Sequence, residues 1–450
     1  MRIHFIAIGG AIMHSLAIEL KNNGHIITGS DDIIYDPAKS NLLAHGLLPE
    51  KYGWSLKNIT HELDMVILGM HAKKDNLELL EAKKKGISIY SFPEYIYRYA
   101  INKKRIVIAG SHGKTTITSM IIHVLNENKI SADYLLGAKI DSLNNLVQLQ
   151  NNDVMIIEGD EYFSSAIDHT PKFMHYKPDV LIVSGVSWDH INVFPTLKSY
   201  QDAFAQILND VLSTSKKVFY CGDDSFLANF LQKNINVVPY YLPQYIIHNH
   251  QYYLKNVDKT IPLNIFGQHN LYNLEAAKHV CLELGVSSTA FYQSISTFNS
   301  AEKRLKLIKK TKNSAIYYDF AHSPSKVLAT INAVKELYPN RYLVACLELY
   351  TFSSLDEKFI PNYANVFKKA DEVWIYIDKK SKKASNSNSI TSEFLLSVLN
   401  HKVVYCVRDK TLLISMLRKL TFNNLNLLLM SSGNFSGLDV RNLFNELNHS

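Results

Sequence analysis

The stretch IVIAGSHGKTT at residues 106–116 decides the fold of this chain. An apolar, β-branched run ends at Ala109, a turn with two glycines follows, and a stretch of helical periodicity continues over residues 118–126. This order of strand, glycine turn and helix is typical of a phosphate-binding loop, because the turn's backbone N–H groups and the helix N-terminus both attract anions. The full pattern of such loops has glycine at position 108, so Ile108 makes this a shortened version.

The side chains of this loop suit a nucleoside triphosphate. Lys114 can reach the terminal phosphates, and Thr115 can ligate Mg²⁺. The sequence therefore predicts a site for ATP and Mg²⁺, although the phosphate loop of a non-catalytic nucleotide switch would have the same pattern. The residues expected to bind the nucleotide here are Gly110, Ser111, His112, Gly113, Lys114, Thr115 and Thr116.

Short β-branched runs alternate with helical stretches along the whole chain, which indicates an α/β fold with parallel sheets. The 450 residues are about three times the ~150 of a typical domain. Polar residues at 102–104 precede the strand that leads into the glycine turn, and a further strand starts near residue 315. We therefore predict three domains, at residues 1–102, 103–299 and 300–450.

Composition excludes several classes of protein. A hydrophobic fraction of 47% and a charged fraction of 20% are typical of globular domains. No apolar stretch reaches the roughly 18 residues of a membrane-spanning helix, and the 4 cysteines are scattered without metal-binding spacing. We therefore expect a soluble, cytoplasmic protein with reduced thiols. The net charge of +7 suits an anionic small molecule, and the scattered basic residues argue against nucleic acid. The sequence does not indicate an oligomeric state.

Acidic residues follow two later strands of the predicted central sheet. The acidic cluster Glu158-Gly159-Asp160-Glu161 comes directly after the apolar run at residues 155–157, and Asp189-His190 come soon after the run at residues 180–183. The carboxyl ends of parallel strands form the edge of the sheet where ligands bind, so both groups should face the phosphate loop. Oxygen and imidazole ligands there would hold magnesium between nucleotide and substrate.

A second diphosphate site is indicated near the amino terminus. Gly9 and Gly10 follow a strand at residues 3–8, and Ser30-Asp31 follow the next strand. A dinucleotide fingerprint would need further glycines at positions 11 and 14, where the chain has alanine and histidine. A backbone nest for a different diphosphate is therefore favoured over the cofactor site of a nicotinamide-dependent oxidoreductase.

Taken in order, these motifs resemble those of the Mur ligase family, the ATP-dependent amide-forming ligases of peptidoglycan metabolism. The matching motifs are residues 110–116, Glu158, Asp189-His190, GQHNLYN at residues 267–273, Arg304, and DFAHSP at residues 319–324. The resemblance covers essentially the whole chain. It implies a Rossmann-like amino-terminal domain, a central domain like a P-loop ATPase, and a Rossmann-like carboxyl-terminal domain.

The resemblance also implies a mechanism, in which a carboxylate takes the γ-phosphoryl group of ATP and the resulting acyl phosphate reacts with an amine. The catalytic residues would be Lys114, Glu158 and His190. Thr115 and Glu158 would ligate one Mg²⁺, and His190 a second. Further nucleotide contacts would come from His269, Asn270, Asn273, Arg304 and Asp319, and a substrate contact from His322. For Asn270 and Asn273, capping of a helix start is the alternative.

The first domain resembles the branch of the family that binds UDP-N-acetylmuramate. The implied substrate contacts are Gly9, Gly10, Ser30 and Asp31. Glu161-Tyr162 and PKFMHY at residues 171–176 resemble the member that adds the tripeptide L-alanyl-γ-D-glutamyl-meso-diaminopimelate in peptidoglycan recycling. Residues 348–354 lack the arginines expected for addition of L-alanine. We therefore favour the tripeptide as acceptor, with L-alanine as the alternative. A ligase of the folylpolyglutamate type shares the central loop, but the muramate-like first domain argues against it.

Overall fold

A computed structural model describes residues 1–138, 143, 145–188, 193–256, 259–299, 304–351, 353–378 and 390–446. Three mainly parallel sheets follow one another along the chain, with helices between their strands. This arrangement confirms the predicted α/β class and its three-domain architecture, while the domain limits at residues 102 and 299 stay predictions. By contacts the chain divides into two compact units. One comprises Met1–Trp188, Pro195–Tyr241 and Asn273–Ile295, and the other comprises Asp189–Phe194, Leu242–Tyr272 and Ser296–Ser450.

The first sheet is parallel, and its strand order β2-β1-β3-β4 is Rossmann-like. Its strands are β1 Arg2–Ile6, β2 Ile26–Ser30, β3 Met65–Leu68 and β4 Ser88–Ser91. The helices that follow them are α1 Ala11–Asn22, α2 Ala38–Ala44, α3 Leu77–Lys84 and α4 Phe92–Tyr99. The order brings the loops after β1, β2 and β3 together at one edge, where Gly9, Gly10 and Asp31 lie.

The central sheet has seven strands in the order β11-β10-β9-β5-β8-β6-β7 and is parallel except for β7. The strands are β5 Lys104–Ala109, β6 Asp133–Leu135, β7 Val147–Gln148, β8 Val154–Glu158, β9 Val180–Val183, β10 Lys217–Cys221 and β11 Val237–Tyr240. The helices between them are α5 Lys114–Glu127, α6 Lys172–His175, α7 Leu197–Leu212 and α8 Ser225–Leu231. From residue 106 to its end, strand β5 is an uninterrupted apolar run because it is covered on both faces, and Ile106, Val107 and Ile108 are each 0% exposed.

The neighbours of β5 position the candidate site. Strands β8 and β9 flank β5 and run parallel to it, so the residues after all three strands meet at one edge. The phosphate-loop residues 110–113 leave this edge, and α5 begins at Lys114. The helix starts earlier than the predicted residues 118–126, which places Thr115 and Thr116 in its first turn.

A small antiparallel sheet and two helices complete the middle of the chain. The strands are β12 Tyr245–His248, β13 Gln251–Asn256 and β14 Lys259–Leu263, and the helices are α9 Gln268–Glu283 and α10 Ser288–Ile295. Helix α9 carries Asn270 and Asn273.

The third sheet has six strands in the order β15-β16-β20-β17-β18-β19 and is parallel except for β15. The strands are β15 Lys306–Lys310, β16 Ala315–Asp319, β17 Tyr342–Glu348, β18 Glu372–Tyr376, β19 Val404–Val407 and β20 Leu425–Met430. The helices are α11 Pro324–Leu337, α12 Ser392–Leu399, α13 Lys410–Lys419 and α14 Val440–Glu446. Within the described ranges, no helix has both the length and the hydrophobicity to cross a bilayer.

Candidate active site

The turn between β5 and α5 has the backbone shape of an anion-binding nest. Gly110 and Gly113 have φ values of +121° and +76°, in the left-handed region that favours glycine. A Cβ atom on Gly113 would lie 2.0 Å from Oδ1 of Asn273, and one on Gly110 would lie 2.3 Å from Oγ of Ser184. Both positions therefore require glycine for space as well as for conformation. The first N–H groups of α5 follow directly, which is the arrangement that binds phosphate.

Lys114 is held at the edge of this nest by two oxygen acceptors. Its Nζ atom donates to the carbonyl oxygen of Gly110 at 2.8 Å and to Oε2 of Glu161 at 2.6 Å. Burial by itself would lower the pKa of Lys114, but three nearby carboxylates outweigh burial and raise that pKa above its usual value. They are Glu161, Asp160 and Glu158. The lysine therefore carries its positive charge beside the turn.

The structure brings two of the three predicted magnesium ligands together. Oγ1 of Thr115 donates to Oε1 of Glu158 at 2.7 Å, and the backbone N–H of Gly137 donates to Oε2 at 2.7 Å. Hydroxyl and carboxylate oxygens are the hard ligands that Mg²⁺ prefers, so this pair fits the predicted ion. The third predicted ligand, His190, and its neighbour Asp189 lie outside the described residues.

The other residues of the loop are enclosed by neighbouring segments. Ser111 and Thr116 are buried. Oγ of Ser111 lies 3.0 Å from the hydroxyl of Tyr200, and the carbonyl oxygen of His112 accepts a hydrogen bond from Oγ of Ser184. The conformation of the turn is therefore fixed by its protein contacts.

Helix α9 brings one predicted nucleotide residue to the loop. Asn273 is buried, and its side-chain oxygen lies against Gly113. Asn270 is also buried, and its Nδ2 atom donates to the carbonyl oxygen of Phe266 at 2.9 Å. Since α9 begins at Gln268, neither asparagine is the residue directly before the helix, and their nucleotide contacts stay predictions.

Three predicted residues surround the turn after β16 in the second unit. Asp319 ends the strand and accepts a hydrogen bond from Oγ1 of Thr330. The guanidinium of Arg304 lies 4.8 Å from the ring centroid of Phe320. Nδ1 of His322 lies 2.8 Å from the carbonyl oxygen of Phe320. The structure thus groups these residues at the carboxyl edge of the third sheet.

His269 lies in the same unit. Burial lowers the pKa of His269, whereas the charge of Asp319 acts in the opposite direction. Its Nδ1 atom is enclosed and has no hydrogen-bond partner among the described residues. A neutral imidazole with an enclosed, unsatisfied nitrogen is a polar group that a ligand could satisfy.

The first unit contains a large cavity at the edge of the first sheet. Its volume is about 1210 Å³, and Gly9, Gly10 and Asp31 line one side of it. Tyr134 and Gln150 of the central segment line another side. The cavity therefore contains three of the four predicted sugar-nucleotide contacts.

Asp31 lines the cavity, whereas Ser30 lies in the interior. The backbone N–H of Gly9 donates to Oδ2 of Asp31 at 2.8 Å. The pKa of Asp31 is raised to about 6, mainly because the side chain is buried. The neighbouring Asp32 also raises this pKa, whereas the hydrogen bond from Gly9 lowers it. Ser30 is 1% exposed and donates its hydroxyl to Glu78 in the interior. Ser30 therefore contacts Glu78 and does not line the cavity.

Sequence patterns did not predict two contacts of the central site. Glu161 is 0% exposed and contacts Lys114, and the hydroxyl of Tyr200 donates to Oε1 of Glu161 at 3.0 Å. Glu161 belongs to the acidic cluster at residues 158–161 that the sequence predicts to face the phosphate loop, but its contact with Lys114 was not predicted. Tyr200 lies on α7, far along the chain, and its spacing gives no signal of this contact.

One further group of side chains could hold a metal ion by geometry. Ligand atoms of Glu94, Asp168 and His175 lie within 4.8 Å of one another. Glu94 is already used in the capping box at the start of α4, where its carboxylate accepts from Ser91. Nε2 of His175 lies 2.8 Å from Oδ2 of Asp168. The group is thus accounted for by helix capping and an ion pair.

Comparison with known proteins agrees with this geometry. Residues 108–281 match the model of the Mur ligase middle domain, and residues 2–104 match that of the Mur ligase family catalytic domain. A UDP-N-acetylmuramate–L-alanine ligase of Aquifex aeolicus is 29% identical over 386 residues, which cover 83% of this chain and 82% of the relative.

Two further similarities bear on acceptor and fold. The UDP-N-acetylmuramate–L-alanyl-gamma-D-glutamyl-meso-2,6-diaminoheptandioate ligase of Haemophilus influenzae is 25% identical over 352 residues, covering 74% of this chain and 76% of the relative. The crystal structure of UDP-N-acetylmuramate-alanine ligase from Thermotoga maritima superposes with a TM-score of 0.73 at 21% identity, covering 100% of this chain and 99% of that one. At this identity the structural match supports the fold alone.

Proposed function

The chain belongs to the Mur ligase family of ATP-dependent, amide-forming ligases, and we propose that it joins UDP-N-acetylmuramate to the tripeptide L-alanyl-γ-D-glutamyl-meso-diaminopimelate. The observation that carries the chemistry is the meeting of Lys114, Thr115 and Glu158 around the turn after β5. The choice of acceptor rests on Glu161-Tyr162 and residues 171–176, which resemble the tripeptide-adding branch. The reaction then belongs to peptidoglycan recycling, and we place it in the cytoplasm, where ATP and UDP-sugars are available.

The reaction has to activate a carboxylate, because a carboxylate is a poor electrophile in water. The muramyl carboxylate attacks the γ-phosphorus of ATP, the bond to the β-phosphate oxygen breaks, and ADP leaves. The acceptor's α-amine then attacks the acyl carbon, inorganic phosphate leaves, and the amine gives up a proton. Such phosphoryl transfer depends mainly on positioning and on charge neutralisation.

The residues around the turn supply both effects. Lys114 contacts the β- and γ-phosphates and offsets the charge that develops during transfer. Thr115 and Glu158 would hold Mg²⁺, and His190 would be the ligand of a second ion. Bound Mg²⁺ would neutralise negative charge during the phosphoryl transfer. We also assign His269, Asn270, Asn273, Arg304 and Asp319 to the nucleotide and His322 to the substrate.

The cavity at the first sheet is the proposed site of UDP-N-acetylmuramate. Gly9 and Gly10 lie directly before α1, so the diphosphate would meet backbone N–H groups and the helix N-terminus. Among the described residues that line the cavity, none is lysine or arginine. The lining includes His14, His45 and His71, which can donate hydrogen bonds. Backbone and imidazole donors therefore replace fixed cations in this proposal.

Acceptor choice is tested by comparing the two candidates in the same assay. With UDP-N-acetylmuramate and Mg-ATP, we expect kcat/KM for the tripeptide to exceed that for L-alanine by at least about tenfold, because interactions with the larger acceptor contribute to transition-state binding. Product masses identify the amide, and reactions without acceptor control for uncoupled ATP hydrolysis. Faster turnover with L-alanine would reject the proposal.

L-Alanine remains the second candidate for a specific reason. The Aquifex aeolicus relative bears the name of an L-alanine ligase and is slightly more similar in sequence than the Haemophilus influenzae relative, at 29% against 25% identity. Both candidates share the carboxylate activation and the roles proposed for the loop, so only the acceptor comparison separates them.

A further inference from the structure

We infer that the buried carboxylate of Glu161, oriented by Tyr200 and Ser111, is a positioning residue that fixes the ammonium group of Lys114 for the triphosphate. The inference rests on the proposed contact between Lys114 and the phosphates of ATP. It adds to the site two side chains, Glu161 and Tyr200, that act on the nucleotide only through Lys114. We call Ser111, Tyr200, Glu161 and Lys114 the lysine relay.

The relay is a continuous series of hydrogen bonds. The backbone N–H of Ser187 donates to Oγ of Ser111 at 2.8 Å, and Oγ of Ser111 lies 3.0 Å from the hydroxyl of Tyr200. That hydroxyl donates to Oε1 of Glu161 at 3.0 Å, and Oε2 of Glu161 accepts from Nζ of Lys114 at 2.6 Å. The two carboxylate oxygens thus have different partners, which fixes the rotation of the carboxylate.

Packing holds the middle of the relay in place. Tyr200 and Glu161 are each 0% exposed. The ring of Tyr200 packs 5.2 Å from that of Phe204, which in turn packs 5.3 Å from the ring of Phe173. Tyr200 lies in the first turn of α7, where Thr196 caps the helix. Since the ring is fixed by packing, its hydroxyl points to Glu161 without an entropic cost at the time of reaction.

The neighbouring acids have other partners. Oδ2 of Asp160 lies 2.8 Å from Nζ of Lys172, and the two oxygens of Glu158 accept from Thr115 and Gly137. Glu161 is therefore the acid that directly contacts Lys114 in this group. A lysine side chain has four flexible methylene groups, so two anchors, Glu161 and the carbonyl of Gly110, reduce the positions that its ammonium can take.

Loss of this positioning should lower turnover in the folded protein. A displacement of about 1 Å at a reacting group can cost roughly a hundredfold in rate. We expect Glu161→Gln to lower kcat about tenfold or more, because the amide keeps the shape of the side chain but loses the charge that anchors the ammonium. Tyr200→Phe keeps the packed ring and removes only the hydroxyl, and we expect it to lower kcat about three- to tenfold.

A double-mutant cycle with Lys114→Ala tests whether Glu161 acts through the lysine. If it does, Glu161→Gln should change kcat by less than about twofold once Lys114 has been removed, because nothing remains to be positioned. Asp202→Asn is the control, since it removes a carboxylate charge from the exposed face of α7, where Asp202 pairs with Lys198. Its effect should be small and should multiply with that of Lys114→Ala.

Thermal unfolding of each variant separates folding from positioning, and Tyr200→Phe provides the test if Glu161→Gln does not fold. The inference would be overturned if the effects of Glu161→Gln and Tyr200→Phe on kcat multiplied fully with that of Lys114→Ala. Unchanged kcat in both variants would overturn it as well. Failure of the proposed function shows differently, as a parent protein without turnover of the tripeptide. Should L-alanine be the active acceptor, the same cycle is measured with L-alanine.

Discussion

Replacement of Lys114 by alanine should reduce the rate of amide formation at least about a thousandfold, because the charge that develops during phosphoryl transfer loses its nearest fixed cation. The ammonium group of Lys114 lies at the edge of the glycine turn, with Nζ 2.8 Å from the carbonyl oxygen of Gly110. The measurement is kcat with saturating UDP-N-acetylmuramate, Mg-ATP and acceptor, by product mass over long incubation. A non-catalytic nucleotide switch would have no turnover to lose.

Folding of this variant needs a separate check. Removal of the lysine leaves the buried carboxylate of Glu161 without its ion pair, and breaking such a pair costs roughly 3–5 kcal/mol of stability. The variant is therefore assayed below its own thermal transition. Lys198→Ala is the control, because Lys198 lies on the exposed face of α7 with 79% of its side chain accessible, and we expect its turnover to stay within about twofold. Ligase activity retained in Lys114→Ala would reject the assigned role.

Substitution of Thr115 by valine should reduce kcat about a hundredfold and raise the Mg²⁺ concentration needed for half-maximal activity about tenfold or more. Valine keeps the volume and branching of the side chain but has no hydroxyl, so it removes one proposed Mg²⁺ ligand and the donor to Oε1 of Glu158. The measurement is the Mg²⁺ activation curve at fixed total ATP.

Thr115→Ser is the matched control for the valine variant. Serine keeps the hydroxyl and loses only a methyl group, so its Mg²⁺ activation curve should stay close to that of the parent protein. If valine and serine shift the curve equally, the hydroxyl is not a ligand and the effect comes from packing in the first turn of α5.

The phosphate loop could be predicted from sequence because its determinants are local. Residues 106–116 contain the strand, the two glycines, and the lysine and threonine in one continuous stretch, and the structure arranges them as expected. The position of Glu158 could also be predicted, because it ends a strand that is parallel and adjacent to β5. In both cases the functional residues lie at the end of a strand, and an apolar run in the sequence shows where that strand ends.

Contacts between distant segments could not be predicted in the same way. Asn273 reaches Gly113 from a helix far along the chain, and only the resemblance to the family suggested a shared role for them. The contact of Glu161 with Lys114 depends on the direction of a side chain after β8. Ser30 was expected at the substrate, whereas its side chain points to buried Glu78, because alternate residues of a strand face opposite sides of the sheet. Sequence spacing does not specify such directions without the neighbouring strands.

The most direct test of the central claim is a crystal structure with Mg²⁺ and a non-hydrolysable ATP analogue. The triphosphate should lie over the turn at residues 110–113, with its β- and γ-phosphate oxygens at Nζ of Lys114 and with Mg²⁺ at Thr115 and Glu158. A nucleotide bound in a different cleft, with the turn after β5 free of it, would contradict the account.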